Sequence, residues 1–153
     1  MDRLDKRILS YLQADATLST SELAERIGLS TTPCWRRVQK LENEGVIQKR
    51  VALLDRDKLN LGVDVFVAVK TNQHNSKWLD EFAHIVTEFD EVLEFYRMAG
   101  EIDYLIHVVV PDIPSFDRFY KKLINKIDIN DVSSTFVMER IKYTTRLPLE
   151  YAG

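Results

Sequence analysis

Apolar residues in the first third of the chain recur three and four positions apart, which is the spacing of amphipathic helices. Leu4, Ile8 and Leu12 predict a first helix over residues 2–14. A second, shorter helix has its own apolar stripe. It ends at Gly28, because glycine readily adopts the left-handed conformation that closes a helix.

A third helix is predicted to begin two residues later. Ser30 is a favourable N-cap, and Cys34, Val38 and Leu41 form an apolar stripe. Three short helices with a tight turn before the third are typical of a helix-turn-helix. The third would therefore be the recognition helix.

Two short strands are expected directly after the helices, at residues 46–49 and 51–54, where they would form a wing. The polar segment that follows ends in glycine and is the predicted linker. These boundaries predict a winged helix-turn-helix DNA-binding domain at 1–54, a linker at 55–62 and an effector-binding and oligomerisation domain at 63–153.

The hydrophobic period changes to two in the second half, where valine occupies every odd position of residues 63–69. Further strands are predicted at 92–98, 104–110 and 132–143. One helix separates the first two strands, and a second helix, opened by Pro114, follows the third strand. The order βαββαβ is that of a ferredoxin-like domain, so the fold class is α+β.

The predicted strands are apolar on both faces in places. Phe66 and Ala68 lie opposite the valine face of the first strand. Two helices cover only one face of a four-stranded sheet, so the other face is either exposed to solvent or covered by a second copy of the chain. We favour the second copy and predict a homodimer.

The chain has 153 residues, 45% of them hydrophobic, which is enough for a packed core. Its formal net charge of −3 is distributed unevenly between the two halves of the chain. Residues 1–60 contain 11 Lys and Arg against 9 Asp and Glu, whereas residues 61–153 contain 10 against 15. This asymmetry hints at an anionic partner for the first half.

Composition also excludes several classes of protein. No apolar run reaches the roughly 20 residues that span a bilayer, and the charged start is unlike a signal peptide, so we expect a cytoplasmic protein. The single cysteine excludes a disulfide framework and a multi-cysteine zinc site. No GxGxxG, P-loop or HExxH motif is present. We therefore expect no enzyme, no cofactor and no metal site.

Two isolated residues allow alternatives. Cys34 is either a redox sensor near a helix N-terminus or a small buried side chain, and we favour burial. His107 lies within an apolar strand, where a structural histidine with satisfied hydrogen bonds is favoured over a catalytic base.

The third helix has the side chains suited to reading DNA. The hydroxyls of Thr31 and Thr32 can reach phosphates or bases near the helix start, and the guanidinium of Arg36 can pair with guanine in the major groove. The alternative is an ordinary solvated helix face. The remaining DNA-binding candidates, with the cations suited to phosphate contacts, are Ser30, Arg37, Gln39, Lys40, Lys49 and Arg50.

Residues 99–103 join two predicted strands, and residues 100–104 are the other notable segment. Gly100 and Asp103 belong in turns and need no function. Alternatively, Glu101 and Asp103 hold an ammonium group while N–H groups of the turn hold a carboxylate. The chemistry alone favours a plain turn.

Five segments, taken in order, resemble the Lrp/AsnC (feast/famine) family of bacterial and archaeal transcription regulators. Within the family, TTPCWRR and IKYTTRLPLE look most like the branch of the cysteine-responsive detoxification regulator. The segments are LDKRILSYLQADA at 4–16, ELAERIGLSTTPCWRRVQKLENEGVI at 22–47, VALLDRDKLNLG at 51–62, MAGEIDYLIHV at 98–108 and VMERIKYTTRLPLE at 137–150.

This resemblance implies a winged helix-turn-helix joined to an ACT-like domain called RAM. It implies binding to double-stranded DNA, no membrane partner, and dimers that assemble into octamers at the nucleoid. It also implies a small amino-acid effector between dimers, with leucine, methionine and cysteine as candidates. The implied effector residues are Met98, Ala99, Gly100, Glu101, Asp103, Tyr104 and Ser134. The family often has an aromatic residue where this chain has Ile102.

Overall fold

The computed structural model describes residues 1–153 and divides them into two compact units. The first unit comprises Met1–Leu53 with Lys142–Gly153, and the second comprises Leu54–Ile141. The C-terminal tail, which the sequence pattern grouped with the second domain, thus belongs to the helical unit. The Gln13 amide explains this, because it donates to the Leu147 carbonyl at 3.2 Å and accepts from the Leu147 N–H at 2.6 Å.

Three helices form the first unit, as the apolar spacing predicts: α1 (Arg3–Ala14), α2 (Thr20–Ile27) and α3 (Thr31–Asn43). Ser19 caps α2 in a reciprocal capping box with the carboxylate three positions on. Gly28 ends α2 in the left-handed conformation, with φ of 76°. The guanidinium of Arg7 on α1 donates to the last carbonyls of α2, at 3.0 and 2.9 Å. The buried core of this unit consists of Ile8, Leu9, Leu23, Ala24, Ile27, Cys34, Val38 and Leu41.

The two strands predicted for the wing, at residues 46–49 and 51–54, are not formed. Within these segments, one backbone bond is formed, from the Ile47 N–H to the Leu41 carbonyl at 3.1 Å. Leu53 is 67% exposed, so no apolar packing holds the second segment against the first. A two-stranded hairpin without packing is marginal in water.

The second unit has the predicted order βαββαβ. Its sheet is antiparallel with strand order β2-β3-β1-β4, which is the ferredoxin-like arrangement. The elements are β1 (Val63–Lys70), α4 (Ser76–Thr87), β2 (Val92–Arg97), β3 (Tyr104–Val110), α5 (Ile113–Lys126) and β4 (Asp131–Phe136). A short 3-10 turn at Asp57–Leu59 precedes β1.

The last strand is shorter than the predicted 132–143. Phe136 pairs with Val65 near the start of β1, and the Val137 N–H still donates to the Asp64 carbonyl at 3.0 Å. Because β1 begins at Val63 and runs antiparallel to β4, the residues that follow have no strand beside them with which to pair. Ile141 is accordingly 90% exposed.

The sheet has one covered and one uncovered face. Val65, Val67 and Val69 are completely buried beneath α4 and α5, in a core that includes Phe82 and Phe119. The opposite face, which we call the open face, has no helix over it. It includes Asp64, Phe66, Ala68, Glu94, Tyr96, Leu105, His107, Val109, Ser133 and Thr135.

Candidate nucleic-acid interface and effector loop

The solvent-facing side of α3 has most of the predicted DNA-binding residues. The helix begins at Thr31, and the preceding Ser30 makes no side-chain capping bond, so its hydroxyl is available. Cys34, Val38 and Leu41 turn the opposite side into the core. The exposed residues of this surface are Ser30, Thr31, Thr32, Trp35, Arg36 and Lys40, with Gln39 half-buried.

The cations of this surface differ in whether they have a partner. Arg36 and Lys49 form no ion pair or side-chain hydrogen bond within the chain. Lys40 has only a long exposed contact of 3.8 Å with Glu44, and Arg50 pairs with Glu42 at 2.9 Å. Exposed pairs of this kind contribute little. These four cations can therefore bind DNA phosphates at little cost in lost ion pairs.

Arg37 has a different environment. Its Nη1 lies 2.7 Å from Asp2 Oδ2 and 2.7 Å from Asp5 Oδ1. These hydrogen bonds, that to Asp5 foremost, raise the pKa of Arg37. The pKa of Asp2 is lowered, first by the backbone N–H of Asp5 and then by Arg37. Arg37 thus joins α3 to the start of α1, and it is not a free phosphate ligand in this structure.

Cys34 is completely buried in the helical core. Burial raises the pKa of its thiol. Because oxidation requires the thiolate and access to solvent, this environment opposes a redox role. The structure thus favours the burial interpretation.

The predicted effector loop joins β2 to β3 over residues 98–103. The Met98 N–H donates to the Asp103 carbonyl at 2.8 Å and closes the loop. Gly100 has a φ of 140°, a conformation that side chains other than glycine rarely adopt. Ala99 and Glu101 are exposed, and the Glu101 carboxylate has no partner within the chain.

Asp103 fastens this loop to the end of β1. Its carboxylate Oδ2 accepts from the Thr71 N–H at 2.8 Å, and its own N–H donates to the Val69 carbonyl at 2.9 Å. One carboxylate oxygen therefore has a structural partner, whereas Oδ1 has none.

Two implied effector residues lie outside the loop itself. Tyr104 directly follows the loop, and it also lines a small pocket there. Its ring is buried in the core, where its centroid is 5.2 Å from that of Phe82. Ser134 lies on β4 and pairs with Val67 of β1. Strand β1 therefore separates Ser134 from the β2–β3 hairpin. One copy of the chain therefore does not bring Ser134 to the loop.

A small pocket of about 210 Å³ lies beside the same loop. Arg97, at the end of β2, and His74, before α4, contribute to its lining. Arg97 is exposed and unpaired. Arg97 is not among the predicted effector residues, although its place directly before the loop is a signal in the sequence that points to it.

His107 is a structural histidine on the open face. Its Nε2 lies 2.6 Å from Asp64 Oδ1, its Nδ1 lies 3.1 Å from Glu94 Oε2, and its ring stacks on Phe66 at 4.6 Å. Arg56 also contacts Asp64, at 2.5 Å. Burial raises the pKa of Asp64, but the hydrogen bonds from Arg56 and His107 outweigh burial and the pKa is lowered. His107 thus has partners for both ring nitrogens, as its place in an apolar strand predicts.

No helix is long and apolar enough to cross a membrane. No group of three or more His, Cys, Asp and Glu side chains is arranged to hold a metal ion.

Family models match both units. Residues 1–48 match a winged helix-turn-helix DNA-binding domain, and residues 64–147 match the Lrp/AsnC ligand binding domain. The DNA-binding transcriptional activator DecR of Escherichia coli K12 is 50% identical, over 98% of this chain and 99% of its own length.

Solved structures agree with these matches. An AsnC family transcriptional regulator from Agrobacterium tumefaciens is 60% identical and superposes with a TM-score of 0.97, over 99% of both chains. A transcriptional regulator from Neisseria meningitidis, solved in complex with L-methionine, is 36% identical with a TM-score of 0.93, over 98% of this chain and 97% of its own.

Proposed function

The chain belongs to the Lrp/AsnC family of transcription regulators, in the branch that includes DecR, and we propose that it binds specific DNA sites through α3 and responds to a small amino acid through its second unit. Its family consists of regulators, not enzymes. A regulator of this kind acts in the cytoplasm, at the nucleoid.

The exposed surface of α3 supports the DNA-binding half of the proposal. Arg36 and Lys49 are cations that nothing in the chain neutralises, and they lie on or just after a helix whose opposite side is buried. Phosphate contacts by such cations position a recognition helix, while a guanidinium at a base edge supplies specificity. We assign base reading to Arg36 and phosphate contact to Lys49, with Ser30, Thr31 and Thr32 at the helix start.

A gel shift on the chain's own upstream DNA, at 50 and 200 mM salt, tests this half. We expect specific binding that weakens steeply with salt, because binding releases counterions from neutralised phosphates. Arg36→Ala should relax the base preference at one position and cost about 1–3 kcal/mol of binding free energy. Lys77→Ala is the matched control, since it removes an exposed cation from α4 in the second unit.

The absence of specific binding at low salt would contradict the proposal. The chain would then be an amino-acid-binding and oligomerisation module without specific DNA binding. Unchanged affinity and unchanged site preference in Arg36→Ala would instead contradict only the assignment of Arg36 to base reading.

For the effector we propose the exposed loop at residues 98–103. The unpaired carboxylate of Glu101 and the free Oδ1 of Asp103 can accept from the ammonium group of an amino acid, and N–H groups of the loop can donate to its carboxylate. The candidates are leucine, methionine and cysteine, and the Neisseria meningitidis relative binds L-methionine. Ser134 would come to the site from another copy of the chain. Effector binding would shift the population of DNA-competent assemblies through its different affinity for them.

A thermal-shift screen against the twenty amino acids identifies the effector. A ligand at 100 times its Kd adds about 2.7 kcal/mol to the free energy of unfolding. Glu101→Gln should abolish this shift, whereas Glu81→Gln, an exposed carboxylate on α4, should retain it. Asp103→Asn should lose the shift but keep DNA binding, because the amide oxygen can still accept from Thr71. Wild-type ligand affinity in both loop variants would contradict the loop assignment.

For the assembly we propose a homodimer through the open face, with four dimers forming an octamer. Phe66, Ala68 and Leu105 form an apolar strip on this face, and no helix of the same chain covers it. Light scattering should therefore give an even multiple of the 17.8 kDa chain mass. Ala68→Glu places a charge in the strip and should give the monomer, and an unchanged mass would contradict this interface.

A further inference from the structure

One large apolar side chain lies on the exposed side of α3. Trp35 is 51% exposed. Its indole makes no ring contact or cation–π contact, and its N–H makes no hydrogen bond within the chain. Indole is a large apolar ring with one donor, so leaving half of it in water forgoes burial that other apolar residues of this unit achieve.

The helix places Trp35 where a DNA contact is made. Trp35 lies one turn after Thr31 and one turn before Gln39, so these three side chains follow one another along the same side of α3. It occupies the first half of a recognition helix, and this half contacts base edges in helix-turn-helix proteins. Trp35 lies at the border between the buried stripe and the exposed polar side.

We propose that Trp35 determines specificity by packing its indole on the 5-methyl group of a thymine in the major groove. Among the groups that base pairs present in the major groove, the thymine methyl is the apolar one. This inference rests on the proposed DNA binding and names one base feature that the site reads.

The charge around Trp35 favours DNA over a second copy of the chain as the covering partner. Arg36 and Lys40 are exposed on the next faces of the helix, and Arg36 is unpaired. Two copies meeting through this surface would bring like charges together. A polyanion neutralises these charges and presents thymine methyl groups in the same groove.

The test compares the chain's own upstream DNA with the same fragment made with uracil in place of thymine, which lacks only the 5-methyl groups. Wild-type protein should bind the thymine DNA about fourfold more tightly for each methyl group covered, the equivalent of about 0.8 kcal/mol. Trp35→Ala should bind both fragments equally, as wild type binds the uracil DNA. Its salt dependence should be unchanged, because Trp35 contacts no phosphate. Trp35→Phe should retain part of the preference for thymine DNA. This result would show that the loss in Trp35→Ala is not caused by misfolding.

A second measurement uses the indole itself. The chain has two tryptophans, so Trp78→Phe leaves Trp35 as the sole indole emitter. Thymine DNA should shift its emission to shorter wavelength as the ring leaves water, and uracil DNA should shift it less.

A thymine preference that survives in Trp35→Ala would overturn the inference, as would equal binding of both fragments by wild type. A change in sedimentation mass for Trp35→Ala without DNA would point to a second copy of the chain and overturn it as well. None of these three outcomes would contradict the proposed DNA binding. Loss of all specific binding by wild type would overturn both the proposed function and this inference.

Discussion

Replacing Arg37 by alanine separates a structural cation from a DNA-binding one. Arg37 lies on the recognition helix, and its position alone suggests a phosphate contact. In the structure its guanidinium instead donates to Asp2 and Asp5 at the start of α1, both at 2.7 Å. The substitution should therefore lower stability and leave the salt dependence of DNA binding unchanged.

The size of the loss in stability depends on the hydrogen bonds that the Asp5 carboxylate retains. The Asp5 side chain is 8% exposed, and without Arg37 it retains the Asp2 N–H at 3.1 Å. Hydrogen bonds to charged groups contribute about 1.5–3 kcal/mol. The Arg37 side chain is 31% exposed, and solvent screening brings the expected loss to about 1–2 kcal/mol. For a chain of this length the Tm falls by about 2–8 °C.

Two assays measure the separation. Urea unfolding of Asp5→Ala, Arg37→Ala and the double variant forms a cycle whose coupling energy isolates this pair. Gel shifts across a salt series give the slope of log K against log salt, in which each phosphate contact contributes about 0.9. Lys49→Ala, an unpaired cation, should reduce the slope by about that amount per protomer with little change in stability.

The opposite pattern would refute the reasoning. If Arg37→Ala unfolds at the wild-type temperature and loses slope as Lys49→Ala does, Arg37 is a phosphate ligand and its contacts with α1 are incidental.

Three further predictions follow from individual residues. Gly28→Ala should lose about 1 kcal/mol in urea unfolding, because φ is 76° while no atom lies within 4 Å of an added Cβ; wild-type stability would contradict this. Cys34 should react with iodoacetamide only as the protein unfolds in urea, since its thiol is buried, and rapid labelling of the folded protein would reopen a redox role. The lowered pKa of Asp64 means that its stabilisation is complete above the unfolded value of about 3.9 and is lost as the pH falls through the folded value. Asp64→Asn should thus differ from wild type in unfolding free energy at pH 6, and the difference should shrink as the pH falls below the unfolded value; a difference that does not change with pH would contradict the ion-pair origin.

The local elements could be predicted because their signals are local. The stripe of Cys34, Val38 and Leu41 predicts the buried side of α3, and Gly28 marks the end of α2. Both signals are contained in a short stretch of the chain. The alternating valines of β1 likewise predict its buried face. Such patterns depend on helix and strand periodicity, which any short stretch expresses without knowledge of its partners.

By itself, the sequence thus determined the five helices, the core of each sheet strand and the sides that they bury. Only the tertiary structure decided which partner each side chain and each strand end meets. The acceptors of Arg37 lie 32 and 35 positions away, β4 ends where β1 no longer runs beside it, and the two strands predicted for the wing are not formed. These outcomes depend on distances between segments far apart in the chain, and hydrophobic periodicity carries no information about such distances.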